Sequence, residues 1–346
     1  MSHRRYCITL LGLMGLLVIV LLLSLGLGAV HLSPAEVLAA LAGRTPWGET
    51  ANRNADRVTA VIIWDFRLAR TLLAAAVGAA LAVAGAAFQG LFRNPLADPF
   101  VMGASSGAAL GATLAIVLNL TVTWGGFGAV PLAAFLGALV AVALVYFIAE
   151  SVGSAPPAIA LLLAGTALSS LFSAAVSILM ALSELQLHEV FFWLLGSLSG
   201  RSWPHLWAML PYLALSLMAL QALARPLDVL AFGEEAAQSL GLEVRRARLL
   251  VVAAASLATA AAVASSGIIG FVGLIAPHAA RLLFGPAHQR LLPASALLGA
   301  LLLVLADDLA RTVLAPLELP VGILTALLGA PFFLYLLRVR REALGD

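Results

Sequence analysis

The chain has 346 residues, 62% of them hydrophobic and only 10% charged, with a formal net charge of +2. Soluble domains carry about 25% charged residues, so a soluble globular fold is excluded, and continuous Ala/Leu-rich runs exclude the alternating ~10-residue strands of a membrane barrel. All 19 basic residues are arginine; a P-loop needs a lysine on the β- and γ-phosphates, so an ATP site of that kind is excluded, and arginines that flank apolar spans give no reason to expect nucleic acid.

The first apolar run, Cys7 to Val30, is longer than the ~7–15-residue core of a signal peptide and long enough to cross a bilayer. It is predicted to be a retained helix, with Arg4 and Arg5 as ordinary positive-inside charge. Cys7 is the single cysteine, so no disulfide framework exists. Ten helical spans are predicted at about 20 residues each, over 8–30, 68–92, 101–120, 126–149, 158–182, 204–224, 247–265, 268–285, 291–307 and 320–337. Several are short enough to imply tilted or broken helices. An even count puts both termini on one side. With the termini inside, twelve arginines fall on inner segments and seven on outer ones, which supports cytoplasmic termini in an inner membrane. The segment 31–66 is outer and 225–248 inner. In the second span Gly78, Ala82, Gly85 and Ala86 recur at helical spacing and predict close helix contact.

Polar clusters between spans call for a reason, because a charge at bilayer depth costs about 2.5–3.5 kcal/mol. In "WDFRLARTLL", Arg67 and Arg70 are three apart and share a helix face, readable as interfacial snorkelling or as a patch for an acidic partner. "LFRNPLADPFVMGASSG" contains Asn94-Pro95 and Asp98-Pro99, which forbid a continuous helix. Irregular backbone of this sort lines protein or a water-filled cavity, so the loop is a candidate gate or a connecting turn. Asp307 and Arg311 form an (i, i+4) pair. The six histidines are dispersed without ligand spacing, so no protein-bound catalytic metal is expected.

The stretches "FRLARTLLAAAVGAALAVAGAAFQGLFRNPLADPFVMGASSGAALGA" and "GIIGFVGLIAPHAARLLFGPAHQRLLPASALLGALLLVLADDLAR" followed by "PLELPVGILTALLGAPFFLYLL" resemble the permease subunits of ABC importers for iron-siderophores, haem and cobalamin, the FecCD/BtuC-type family. The likeness runs from about residue 60 to the C-terminus. It implies an all-α polytopic protein of about ten transmembrane helices with the Type II ABC importer permease fold, one permease domain over 1–346. It further implies a homodimer in lipid, two cytoplasmic ABC ATPase subunits that bind the ATP, and a substrate-binding protein docking from outside. No cofactor and no bond chemistry in this chain are expected. The family's ATPase-coupling segment maps onto Leu230, Gly233, Glu234, Glu235, Ala236, Leu240 and Gly241, expected as two short helices broken at the glycines; the residues themselves suit a short helix with Gly241 at its C-cap. Binding-protein docking maps onto Arg67, Arg70 and Arg311. Ala69 stands where the family usually has proline between the two arginines; their (i, i+3) spacing is kept, but the resemblance does not carry the entry angle of the second span. Gate positions map onto Asn94 and Leu96, and a second, more apolar gate onto Pro157, Ala158 and Ile159.

The expected cargo is a ferric chelate, a siderophore complex or haem, with cobalamin as the alternative. An ion-coupled secondary carrier is the rival from another class, but it needs acids or unwound carbonyls near the midplane, and the acids here sit at span ends.

Overall fold

A computed structural model describes residues 3–28, 30–43, 57–121, 128–151 and 157–344. Among them every regular element is helical. In chain order these are α1 (His3–Gly26), α2 (Pro34–Gly43), α3 (Arg57–Val61), α4 (Ala69–Leu91), α5 (Ala104–Val117), α6 (Ala129–Ser151), α7 (Pro157–Leu182), α8 (Leu187–Leu194), α9 (Trp203–Ala222), α10 (Ala224–Leu230), α11 (Glu234–Ser239), α12 (Val244–Ser266), α13 (Val272–Phe284), α14 (His288–Thr312) and α15 (Val321–Leu344). Among the described residues seven helices are long and apolar enough to cross a membrane, whereas α5, α13 and the apolar part of α15, Val321–Leu336, are shorter.

Boundaries differ from the sequence reading where backbone geometry outweighs hydropathy. The first helix starts at His3 and stops at Gly26 rather than 30. The second starts eleven residues early: α3 runs through a π-helical stretch, Ile62–Leu68, into α4 without a break. Ala69 keeps helical angles, φ −58° and ψ −46°, and donates its N–H to the Phe66 carbonyl. A proline at 69 would lack that donor. The α4 helix then ends at Leu91, and the chain returns inward through a 3-10 turn, Pro99–Met102, before α5; the Asn-Pro and Asp-Pro break is as expected.

The core is one contiguous cluster with α4 through its centre, including Leu73, Phe88, Met209, Leu220, Leu291 and Leu303. Helix α4 pairs most extensively with α14. Their axes close up where Gly78 faces Gly299: a Cβ on Gly78 would stand 2.2 Å from the Gly299 carbonyl oxygen, so only glycine permits this approach. A second small cluster, Leu25, Val37, Ala40 and Ile63, holds α2 against α1 and the π-helical stretch.

The antiparallel α4 and α14 define two ends of the bundle. At one end Arg70 meets Asp307; at the other Gly90 meets His288. Tyr6 of α1 packs edge-on against Phe284, ring centroids 5.7 Å apart, so the start of the chain lies at the His288 end.

Candidate functional site

Helices α10 and α11 project from the His288 end as a knob. Gly233 (φ 108°) breaks the chain between them and Gly241 (φ 81°) closes α11; L side chains rarely adopt such angles, so the breaks fall at the two glycines where the resemblance put them. Leu230, Ala237, Val244 and Ala247 form the knob's own small core. Arg248, largely buried, donates to the Glu234 carboxylate at 2.6 Å, and Arg245 pairs with Glu150 of α6 at 3.0 Å. Of the expected coupling residues, Leu230 therefore holds the knob together and Glu234 is tied inward. Ala236 is half-buried, and Glu235 and Leu240 face outward. Phe232, which the sequence reading passed over, is 79% exposed and Leu240 71%. Both are large apolar side chains standing out on an otherwise polar tip.

The candidate gates lie at the same end. In the loop after α4, Asn94 is exposed, and its Oδ1 accepts the Leu96 N–H at 3.0 Å in a tight turn. Asp98 caps the 3-10 turn by accepting the Phe100 N–H at 2.9 Å, and its carboxylate also takes the Phe271 N–H. One carboxylate thus satisfies backbone N–H groups of two irregular stretches, before α5 and before α13, which have no water to turn to inside a membrane. The second gate region opens α7. Ala158 is half-buried and Ile159 exposed; the Pro157 side chain lies outside the described residues. Helix α7 leans on the 3-10 turn, with Gly165 against the Val101 carbonyl.

Helix α7 also carries a feature the sequence reading missed. Thr166, Ser170, Ser173 and Ser177, spaced four, three and four apart, are all exposed and share one helix face. Thr166, Ser170 and Ser177 donate to their own helix carbonyls, on Leu163, Thr166 and Ser173, at 2.9 to 3.0 Å. The spacing is legible in the sequence; that this face is unpacked is not.

At the opposite end the three expected docking arginines come together, but each is spent inside the protein. Arg67 donates to the carbonyls of Leu25, at 2.7 Å, and Val30. Arg70 grips Asp307 through Nε (3.0 Å) and Nη2 (2.9 Å), and reaches Glu318 through Nη1 at 2.8 Å. Arg311 bonds Asp308 and Ser24 Oγ, the latter at 2.8 Å, and lies 3.4 Å from Asp307. The expected (i, i+4) pair is therefore secondary: Asp307 belongs chiefly to Arg70, and Arg311 to Asp308. These arginines are only 8%, 8% and 4% exposed. Burial pushes the Glu318 carboxyl up, but the hydrogen bond and charge of Arg70 outweigh it and hold this loop carboxyl below the usual range. Arg44, Glu49, Arg53 and Asp56 of the outer segment lie outside the described residues.

The model of the FecCD transport family matches residues 16–339. A cobalamin import system permease protein of Halobacterium salinarum, BtuC, is 48% identical over 81% of this chain and 74% of its own. The hemin transport system permease protein HmuU of Yersinia pestis is 42% identical over 94% of this chain and 95% of its own. A solved structure described as an inward-facing metal-chelate type ABC transporter is 38% identical and superposes with a TM-score of 0.82, covering 95% of this chain and 98% of the other.

Proposed function

The chain belongs to the FecCD transport family of ABC importer permeases, and we propose that it conducts a ferric chelate, a siderophore complex or haem, across the cytoplasmic membrane. Ten helices span the bilayer, the three short ones tilted or re-entrant, and both termini and the knob face the cytoplasm. The path runs between two copies of the chain at a twofold axis. The observation that carries this reading is the hydroxyl face of α7. Exposed polar groups on a membrane helix face a neighbouring helix or a water-filled cavity. Because the hydroxyls of Thr166, Ser170 and Ser177 donate back to the helix, this face offers a smooth, weakly polar wall with few strong ligands for a bulky metal complex to stick to.

Energy comes from two cytoplasmic ATPase subunits, which bind and hydrolyse the ATP and cover Phe232, Glu235 and Leu240. Their movement opens and shuts the axis at Asn94–Leu96 and at Pro157–Ile159, so this chain contributes a differential preference between conformations rather than catalysis. A substrate-binding protein docks at the other end. Since Arg67, Arg70 and Arg311 are internally paired, docking there is an exchange in which incoming carboxylates replace internal partners.

Cobalamin is the second reading, favoured by the 48% identity to the Halobacterium permease. An ion-coupled carrier is disfavoured, because Asp307 and Asp308 are occupied by Arg70, Arg311 and Ser24. Proteoliposomes containing the chain, its co-purifying ATPase and binding protein are expected to accumulate haem or ferric citrate only with ATP inside the motor's reach. Accumulation without the ATPase, or of cyanocobalamin alone, refutes the reading or its cargo respectively.

A further inference from the structure

We propose that His288 is the joint through which the knob acts on the gate: one imidazole links α10 of the knob, the start of α14 and the last turns of α4. The proposal rests on the transporter reading above. Asp228 lies in α10, and its Oδ1 accepts both the backbone N–H of His288 at 2.9 Å and the ring Nδ1–H at 2.6 Å. Helix α14 has no cap of its own, since Ala287 precedes it, so its first turn is capped from the knob. The other side of the ring lies against α4. A Cβ on Gly90 would stand 2.3 Å from His288 Nε2, so no side chain cushions this contact. Gly90 is four residues before Asn94.

Movement of α10 therefore drags the head of α14 and pushes directly on the helix that ends in the gate loop. Helix α14 carries the same displacement onward. It has 25 residues, about 37 Å at 1.5 Å per residue, and its far end holds Arg70 of α4 through Asp307. The two helices are thus bonded at one end, pressed together by the ring at the other, and meet closely at Gly78 and Gly299. Coupling through rigid elements joined by discrete contacts is the physical form such transmission takes. Room for the stroke exists beside the joint, in a cavity of about 620 Å³ lined by Gln89, Arg93, Asp228, Phe232, Arg281 and His288 among others.

The test uses the full chain with the ATPase that co-purifies with it. Cys7 is the only cysteine, so Cys7→Ser with Leu96→Cys places a single thiol in the gate loop, and its maleimide labelling rate is read with and without ATP plus vanadate. The parent is expected to show a several-fold nucleotide response. Asp228→Ala and Gly90→Ala are expected to abolish that response while the ATPase stays bound, and Asp228→Asn, which keeps both acceptor bonds, to restore it. In a His288→Ala background, itself expected to lose the response, Gly90→Ala is expected to cost no further thermal stability, because the ring it collides with is gone. A full response in Asp228→Ala or Gly90→Ala, or loss of the ATPase from Gly90→Ala, overturns the joint. A parent without any nucleotide response overturns the transporter reading itself.

Discussion

Arg70 and Asp307, 237 residues apart, form a two-nitrogen contact at 3.0 and 2.9 Å in which the arginine and aspartate side chains are 10% and 2% exposed. Breaking a buried pair by removing one partner strands a charge and costs about 3–5 kcal/mol. Asp307→Ala is therefore expected to lower the thermal unfolding temperature of the detergent-solubilised protein strongly, and Arg70→Leu with Asp307→Leu to recover much of it. An unchanged unfolding temperature in Asp307→Ala would show that the pair contributes nothing.

Glu318 is the most exposed member of the same network and holds the Nη1 of Arg70 at 2.8 Å. Its carboxyl lies below its usual range, so its contribution to stability is present above the unfolded Glu value of about 4.3 and fades as pH falls through the lower folded value. Glu318→Gln is expected to free Arg70 for an incoming carboxylate and to speed association of the binding protein, with the gain lost at high salt. Association rates measured by surface capture at two ionic strengths decide it; a slower, salt-independent association argues against docking on these arginines.

Phe232 and Leu240 are exposed apolar side chains on an otherwise polar knob. Converting both to serine is expected to abolish co-purification of the ATPase while leaving thermal stability within the roughly ±0.5 kcal/mol of ordinary surface changes. Glu235→Arg is the cleaner charge reversal, since Glu234→Arg would set a second arginine against Arg248 and disturb the knob itself. Full retention of the ATPase by the double serine variant would remove the knob from the interface.

The hydroxyl face of α7 is expected to line water. In a Cys7→Ser background, single cysteines at Thr166, Ser170, Ser173 and Ser177 should react with a membrane-impermeant maleimide in the assembled transporter. Leu11→Cys, on the exposed face of α1, should not. Protection of all four α7 positions, at a level matching Leu11→Cys, would mean that this face meets lipid or another helix.

The one-dimensional pattern carried the class, the broken loop after α4 and the short helix closed by Gly241, because each depends on local chemistry: apolar run length, Pro after Asn and Asp, and a C-cap glycine where φ is positive; the pairing of that helix with a second one across Gly233 rests on the family resemblance. The short helix α2 is also legible, since Ser33 and Glu36 exchange capping bonds of 2.7 and 3.3 Å in the S-x-x-E pattern, but at 10 residues it falls below the length by which a span is recognised. What could not be read were partners distant in sequence. Nothing local tells Asp228 that it will cap His288, or Arg67 that its guanidinium will close on the carbonyls of Leu25 and Val30. The docking arginines were identified by resemblance as outward-facing groups, and their burial emerges only once the ends of α1, α4 and α14 are brought together. The exposed face of α7 was hidden for the converse reason: in a lipid-dwelling chain, composition cannot distinguish a face that meets lipid from one that meets water.

Which side of the membrane the knob occupies, and what covers it, decides whether the chain is driven from the cytoplasm. With Leu240→Cys in the Cys7→Ser chain, an impermeant thiol reagent is expected to label inside-out vesicles but not intact spheroplasts, and bound ATPase to block the labelling. Reaction from the outer face of intact spheroplasts, or labelling that the ATPase leaves untouched, would contradict a permease driven through this contact.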